Sequence, residues 1–162
     1  MRHFIRTLIV SAALTAAALP ALAEEKPVDP YAQSNANAGA TPMAGPELLA
    51  AFHGKEGVGR IVDDLVARAV VDPKLEEILH ATDLERLRRT LKEQLGYILG
   101  AGNDYTGRDM KTSHKDQGIN TTEFNVLVEL LQTSMDNEGV PFRAQNQLLA
   151  KLAPMKRDVV TR

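Results

Sequence analysis

The chain has 162 residues and is mildly acidic, with 21 aspartates and glutamates against 19 lysines and arginines. This length suits one domain with a hydrophobic core, and the charge balance argues against nucleic acid as a partner. The absence of cysteine excludes disulfides, thiolate metal sites, cysteine nucleophiles and cofactors attached through cysteine.

The first 23 residues have the pattern of a secretory signal peptide. Two arginines precede an apolar run over residues 8–19, and Ala21-Leu22-Ala23 forms a small-x-small cleavage site. The run is too short to span a bilayer, which takes about 20 residues. We therefore expect a mature chain that begins at Glu24, is exported to the periplasm or beyond, and makes no stable membrane insertion.

Residues 24–46 are rich in proline, alanine, asparagine and glycine and show no apolar period, so we expect a flexible N-terminal arm. Residues 47–162 show helical periodicity and no alternating run long enough for a sheet. The pattern predicts one all-α domain. Its predicted helices cover residues 47–52, 56–70, 74–80, 82–98, 108–116 and 120–135, with a last helix from residue 141.

One histidine stands out because of its neighbours. Tyr105-Thr106-Gly107 is followed by Met110 and then His114, and residues four apart share a helix face. A neutral imidazole in an apolar cleft is what a haem iron requires as its fixed axial ligand. The alternative is a partly buried histidine that only hydrogen-bonds a backbone carbonyl.

The order of the motifs resembles the truncated haemoglobins, group I in particular. The resemblance covers residues 45–162 and rests on residues 62–70, Asp72-Pro73, residues 82–87, Tyr105-Thr106-Gly107, His114 and Gly118-Ile119. It implies a two-over-two helical sandwich that holds haem b. Because the chain has no cysteine, we expect this haem to be held without a covalent link unless a histidine or another side chain is modified. The resemblance also implies that His114 is the proximal iron ligand, with Met110, Tyr105 and Phe124 among the haem contacts.

The chain departs from this family on the distal side of the haem. The family's Phe-Tyr pair, corner phenylalanine and helical glutamine correspond here to Leu65, Val66, Leu79 and Leu91, and the neighbouring pocket positions hold Leu87 and Leu95. None of these side chains can donate a hydrogen bond to oxygen, so we expect weak stabilisation of oxygen. Nitric oxide and carbon monoxide depend less on such donors.

Two further assignments concern charged or titratable residues near the predicted haem. Arg88, or alternatively Arg86, could clamp a haem propionate, although surface ion pairs explain the same residues. His80 lies between two predicted helices and is either a solvated junction residue or a second axial ligand.

The resemblance implies binding of a diatomic gas: oxygen, nitric oxide or carbon monoxide. The residues predict no catalytic group, although a weak nitric-oxide dioxygenase or redox activity stays open, as does an unknown redox partner. Two alternatives also stay open. One is a haem-free globin module that binds a protein partner, and the other is a six-coordinate haem redox or sensor protein that uses His80.

Overall fold

The computed structural model describes residues 24–162, so the predicted signal peptide lies outside the described residues. The described chain is all-α, which confirms the predicted fold class. Its helices are α1 (Glu47–Ala51), α2 (Gly54–Ala69), α3 (Glu76–His80), α4 (Leu84–Ile98), α5 (Met110–His114), α6 (Thr121–Asn137), α7 (Phe142–Leu152) and α8 (Lys156–Val159), with 3-10 turns at Asn35–Ala38 and Ala153–Met155. Within this part of the chain, no helix is both long enough and apolar enough to cross a membrane.

Side-chain caps fix where helices α4 and α6 begin. The Asp83 carboxylate accepts from the Arg86 amide at 3.1 Å and caps α4. Asn120 caps α6 in a reciprocal capping box, because Glu123 accepts from the Asn120 amide at 2.7 Å. Such a cap contributes about 0.5–2 kcal/mol to helix stability. These caps therefore set the register of the helix faces that the site requires.

Helix α2 is the centre of the packing, since it contacts both α4 and α6. Its buried residues recur every three or four positions, as expected for one helix face: Val58, Ile61, Val62, Leu65 and Ala69. Phe52, Ile98, Met135 and Leu148 complete the core, each 1% exposed or less. The short helix α5 instead packs against α8, close to the C-terminal end of the chain.

The N-terminal arm, residues 24–46, makes defined contacts with the helical domain. The Asn35 side chain accepts from the Tyr105 amide at 2.8 Å, and the fully buried Ala38 presents its carbonyl to Gln94 at 2.9 Å. The Met43 amide donates to the Ile98 carbonyl at 2.7 Å. These contacts join residues more than fifty positions apart, so they leave no local pattern in the sequence.

Two glycines near the start of α2 have different surroundings. A Cβ added at Gly57 would lie 2.0 Å from the Phe52 carbonyl oxygen, whereas a Cβ at Gly59 would meet no atom within 4 Å. Gly57 therefore allows the chain before α2 to lie against the first turn of that helix. Gly59 has no comparable steric reason to lack a side chain.

We expect Gly57→Ala and Gly59→Ala to change stability in opposite directions. The first substitution overpacks a backbone contact and should lower the free energy of unfolding by about 1–3 kcal/mol. The second should raise it by about 0.5–1 kcal/mol, because alanine costs less entropy than glycine in a helix. Urea unfolding followed by circular dichroism gives both values. Equal effects of the two substitutions would contradict this account of Gly57.

Candidate functional site

A cavity of about 760 Å³ lies among α4, α5, α6 and the C-terminal residues, and its volume falls in the range of cofactor pockets. Most of the side chains predicted to surround a cofactor line it. They are Tyr105, Met110 and His114 around α5, Leu87, Leu91 and Leu95 on α4, and Phe124 on α6. The sequence places these residues up to 37 positions apart, and the fold brings them to one cavity.

His114 is held at the cavity in one orientation and one tautomer. Its Nδ1 lies 2.7 Å from the Met110 carbonyl oxygen, one helical turn earlier. A carbonyl can only accept, so Nδ1 carries the proton and the lone pair of a neutral imidazole is on Nε2. Burial lowers the pKa of His114, with the Met110 hydrogen bond opposing the shift. Burial thus favours the neutral form that binds a metal.

The helix that carries His114 is a single turn and depends on its cap. The Asp109 side chain accepts from the Thr112 amide at 2.9 Å, and hydrogen bonds to amide groups lower the Asp109 pKa. An isolated turn of this length is not stable in water. The cap and the packing against α8 therefore hold α5 and its histidine in place.

The Tyr105-Thr106-Gly107 motif has a steric explanation. The Tyr105 ring is buried and turns back over Gly107, where an added Cβ would lie 2.2 Å from the phenol oxygen. The phenol donates to the Arg108 carbonyl at 2.9 Å. Burial raises the Tyr105 pKa to about 12, so the phenol stays protonated. The motif closes the cavity wall just before α5.

Beyond Arg86 in its first turn, helix α4 forms an apolar wall that contains two uncharged polar side chains, Thr90 and Gln94. The Thr90 hydroxyl donates to the Arg86 carbonyl at 2.9 Å, and the Gln94 amide donates to the Ala38 carbonyl at 2.9 Å. Gln94 Nε2 also lies 3.3 Å from the Met110 sulfur. These donors are engaged within the protein, so the wall stays apolar in effect although two polar residues line it.

Two of the apolar residues that were predicted to contact the cofactor, Val66 and Leu79, are not among the cavity residues of the described structure. Val66 is 1% exposed and packs in the core around α2, while its neighbour Leu65 reaches the cavity. Leu79 packs on Ala69, Leu75 and Val126, and Ile78 lines the cavity instead. Successive helical residues point about 100° apart, so a shift of one position changes the face.

Arg88 also points away from the cavity. Its guanidinium pairs with Glu85 at 3.0 Å and approaches Asp63 of α2 at 3.9 Å. Arg86, two positions earlier and so on the other side of α4, lines the cavity. Of the two arginines that the sequence offered for a propionate clamp, the structure places Arg86 at the cavity.

His80 is solvent-exposed at the end of α3 and is not among the cavity residues. Its position agrees with the solvated junction residue and not with a second axial ligand. Phe124 does line the cavity, and the Lys156 ammonium lies 5.6 Å from its ring centroid. That contact joins the first turn of α6 to α8, the helix on which α5 rests.

The sequence analysis missed many of the cavity residues, and four of them matter for the site. Arg108 and Gln94 lie within the predicted helical domain, and Val28 and Tyr31 belong to the arm. Gln94 had a detectable signal, since it lies three and seven positions after Leu91 and Leu87 on the predicted apolar face. The arm residues had none, because nothing local indicates where an irregular segment docks.

A family profile described as Bacterial-like globin matches residues 48–161. The chain belongs to the bacterial-like globin family. Among its relatives, Group 1 truncated hemoglobin GlbN of Mycolicibacterium paratuberculosis is 27% identical to this globin over 108 residues, covering 67% of this chain and 79% of the relative. Group 1 truncated hemoglobin LI410 of Chlamydomonas moewusii is 30% identical over 115 residues, covering 70% and 67%. These similarities confirm the resemblance to group I truncated haemoglobins.

Solved structures agree with the fold. Truncated hemoglobin from Tetrahymena pyriformis in its Fe(III) form aligns with a TM-score of 0.67 at 18% identity, covering 71% of this globin and 98% of that chain. The 2/2 hemoglobin from Synechococcus sp. PCC 7002, a structure with covalently attached heme, aligns with a TM-score of 0.65 at 18% identity, covering 71% and 98%. The predicted two-over-two helical sandwich is thereby confirmed.

The steric account of the Tyr105 motif predicts that Gly107→Ala displaces the Tyr105 ring. The overpacked contact should lower the free energy of unfolding by about 1–3 kcal/mol. In a Tyr105→Ala background the same glycine substitution should cost far less, because the clashing ring is gone. A double-mutant cycle by urea unfolding measures this coupling. Additive effects would show that another contact requires the glycine.

Proposed function

We propose that this globin binds haem b non-covalently through His114 and binds a diatomic gas at that haem. The observation that carries the proposal is the 2.7 Å contact between His114 Nδ1 and the Met110 carbonyl oxygen at an apolar cavity of about 760 Å³. A fixed neutral imidazole with a free Nε2 lone pair fits the axial position of a haem iron. Membership of the globin family supports the same cofactor.

The residues present suit such a group chemically. Leu87, Leu91 and Leu95 offer apolar surface to a porphyrin plane and exclude water. Arg86 and Arg108 line the same cavity and supply positive charge for the propionates. The chain has no cysteine, and among the described histidines only His114 lines the cavity, which supports a haem held without a covalent link.

When bound, haem would supply an iron that can take up a small gas. The chain's own contribution on the α4 side is an apolar surface whose nearby donors, Thr90 and Gln94, are already hydrogen-bonded. A hydrogen bond to a charged group is worth about 1.5–3 kcal/mol. Thr90 and Gln94 would not provide this stabilisation to bound oxygen, because both already donate within the protein. We therefore infer that this pocket favours oxygen over nitric oxide and carbon monoxide less than a pocket with a free donor does.

The two alternative functions have less support. A six-coordinate redox or sensor protein would need His80 in the cavity, and His80 is exposed at the end of α3. A haem-free interaction module would not require a large cavity with a histidine held in one tautomer.

We expect His114→Gly to lose stable haem binding and to regain part of it on addition of imidazole, which can fill the vacated space. The absorption spectrum of purified protein reconstituted with haemin is the measurement. His80→Gly serves as the control and should leave the Soret band unchanged. A Soret band that survives in His114→Gly would refute the assignment of the ligand. A parent protein that takes up no haemin would favour the haem-free module.

We also propose that the protein is exported, on the basis of the two arginines, the apolar run and Ala21-Leu22-Ala23. N-terminal sequencing of the protein from its native host should then give a chain that begins at Glu24. Cell fractionation should recover it outside the cytoplasm. A cytoplasmic chain that retains Met1 would refute the proposal.

A further inference from the structure

The arm between Glu25 and Tyr31 crosses from the start of α4 to the loop before α5. The Lys26 amide donates to the Asp83 carboxylate at 2.6 Å, next to the first turn of α4. The Tyr31 phenol donates to the Thr106 carbonyl at 2.8 Å, and Arg108 donates to the Asp29 carbonyl at 3.1 Å. The arm therefore connects the two elements that carry the predicted cofactor contacts.

The arm separates part of the cavity from solvent. Val28 and Tyr31 line the cavity, although Val28 keeps 47% of its surface exposed. The Arg108 guanidinium lies 4.9 Å from the centroid of the Tyr31 ring, a distance typical of a cation–π contact. A porphyrin that passes this side of the cavity has to displace the arm.

Glu25 attaches the first part of the arm to α4. Its two carboxylate oxygens accept from Arg89 Nε at 2.5 Å and Arg89 Nη2 at 3.0 Å, and one of them accepts from Arg86 Nε at 3.3 Å. The Arg86 guanidinium also donates to the Lys26 carbonyl. Bidentate pairing of arginine with a carboxylate is stronger and more specific than a single contact.

Arg89 is itself held in place, which gives the attachment a rigid base. It donates to Glu93 at 2.9 Å and to the Thr106 hydroxyl at 2.5 Å, so it joins α4 to the loop of the Tyr105 motif. The hydrogen bond from Arg89 is the main cause that lowers the Glu25 pKa, and Arg86 adds to it. Glu25 therefore meets a preorganised pair of arginines.

We propose that residues 25–31 form a strap over the cofactor cavity, latched by the ion pairs of Glu25 with Arg86 and Arg89, and that opening of this strap limits haem loss. This inference rests on the proposed haem binding. It adds to that function a segment outside the region matched by the globin profile, which begins at residue 48. The latch is partly exposed, so its strength should fall as salt rises.

The test compares Glu25→Gln with Glu24→Gln, which removes the same charge from the exposed neighbouring residue. The first readout needs no haem: hydrogen exchange of the Lys26 amide in the haem-free protein. The second is the rate of haemin transfer from the loaded protein to excess apomyoglobin. We expect Glu25→Gln to accelerate both by about five- to tenfold, with Glu24→Gln close to the parent. Added salt should accelerate haemin loss from the parent and not from Glu25→Gln.

The outcomes separate the strap from the proposed function. Unchanged exchange at Lys26 in Glu25→Gln would overturn the latch. Faster exchange with an unchanged rate of haemin loss would also overturn the proposal, because the strap would then not control the cavity. A parent protein that takes up no haemin refutes the proposed function and with it the role of the strap, a result that the spectrum shows before the variants are compared.

Discussion

The hydrogen bond between His114 and the Met110 carbonyl is the constraint on which the site depends. It uses the helical spacing of four residues, so it exists only while α5 keeps its single turn. This single turn of helix depends on the Asp109 cap and on packing against α8. The imidazole proposed to bind iron is thus oriented through a main-chain carbonyl of its own helix, to which its Nδ1 donates.

Charge plays a different part on the other side of the cavity, where Arg89 connects segments that share no regular structure. It reaches Glu25 of the arm, Glu93 of α4 and Thr106 of the loop before α5. Isolated surface ion pairs contribute about 0–1 kcal/mol each to stability. Several contacts on one guanidinium also fix the relative orientation of the groups that they join. The apolar helices could form without this network, whereas the arm and the Tyr105 loop depend on it for their positions.

Much of the fold could be predicted from the sequence because helices leave local patterns. The buried face of α2 and the cap at Asn120 follow from spacing and residue type, and His114 follows from its motif. Three residues that were predicted to contact the cofactor do not line the cavity, and the reason is the same for Val66, Leu79 and Arg88. A residue assignment carried along a helix is correct only if the register is correct to one position, and each position turns the side chain by about 100°.

The arm shows a different limit of sequence reasoning. Its composition and its lack of an apolar period predict a flexible segment but carry no information about where it makes contacts. Lack of regular structure is a property of the segment, whereas order depends on partners elsewhere in the chain. Here those partners are Asp83, Arg86, Arg89 and Thr106, between 57 and 75 residues away. The cavity is therefore completed by arm residues whose role becomes visible only when the helices are already in place, and these residues precede the region 48–161 that the family profile matches.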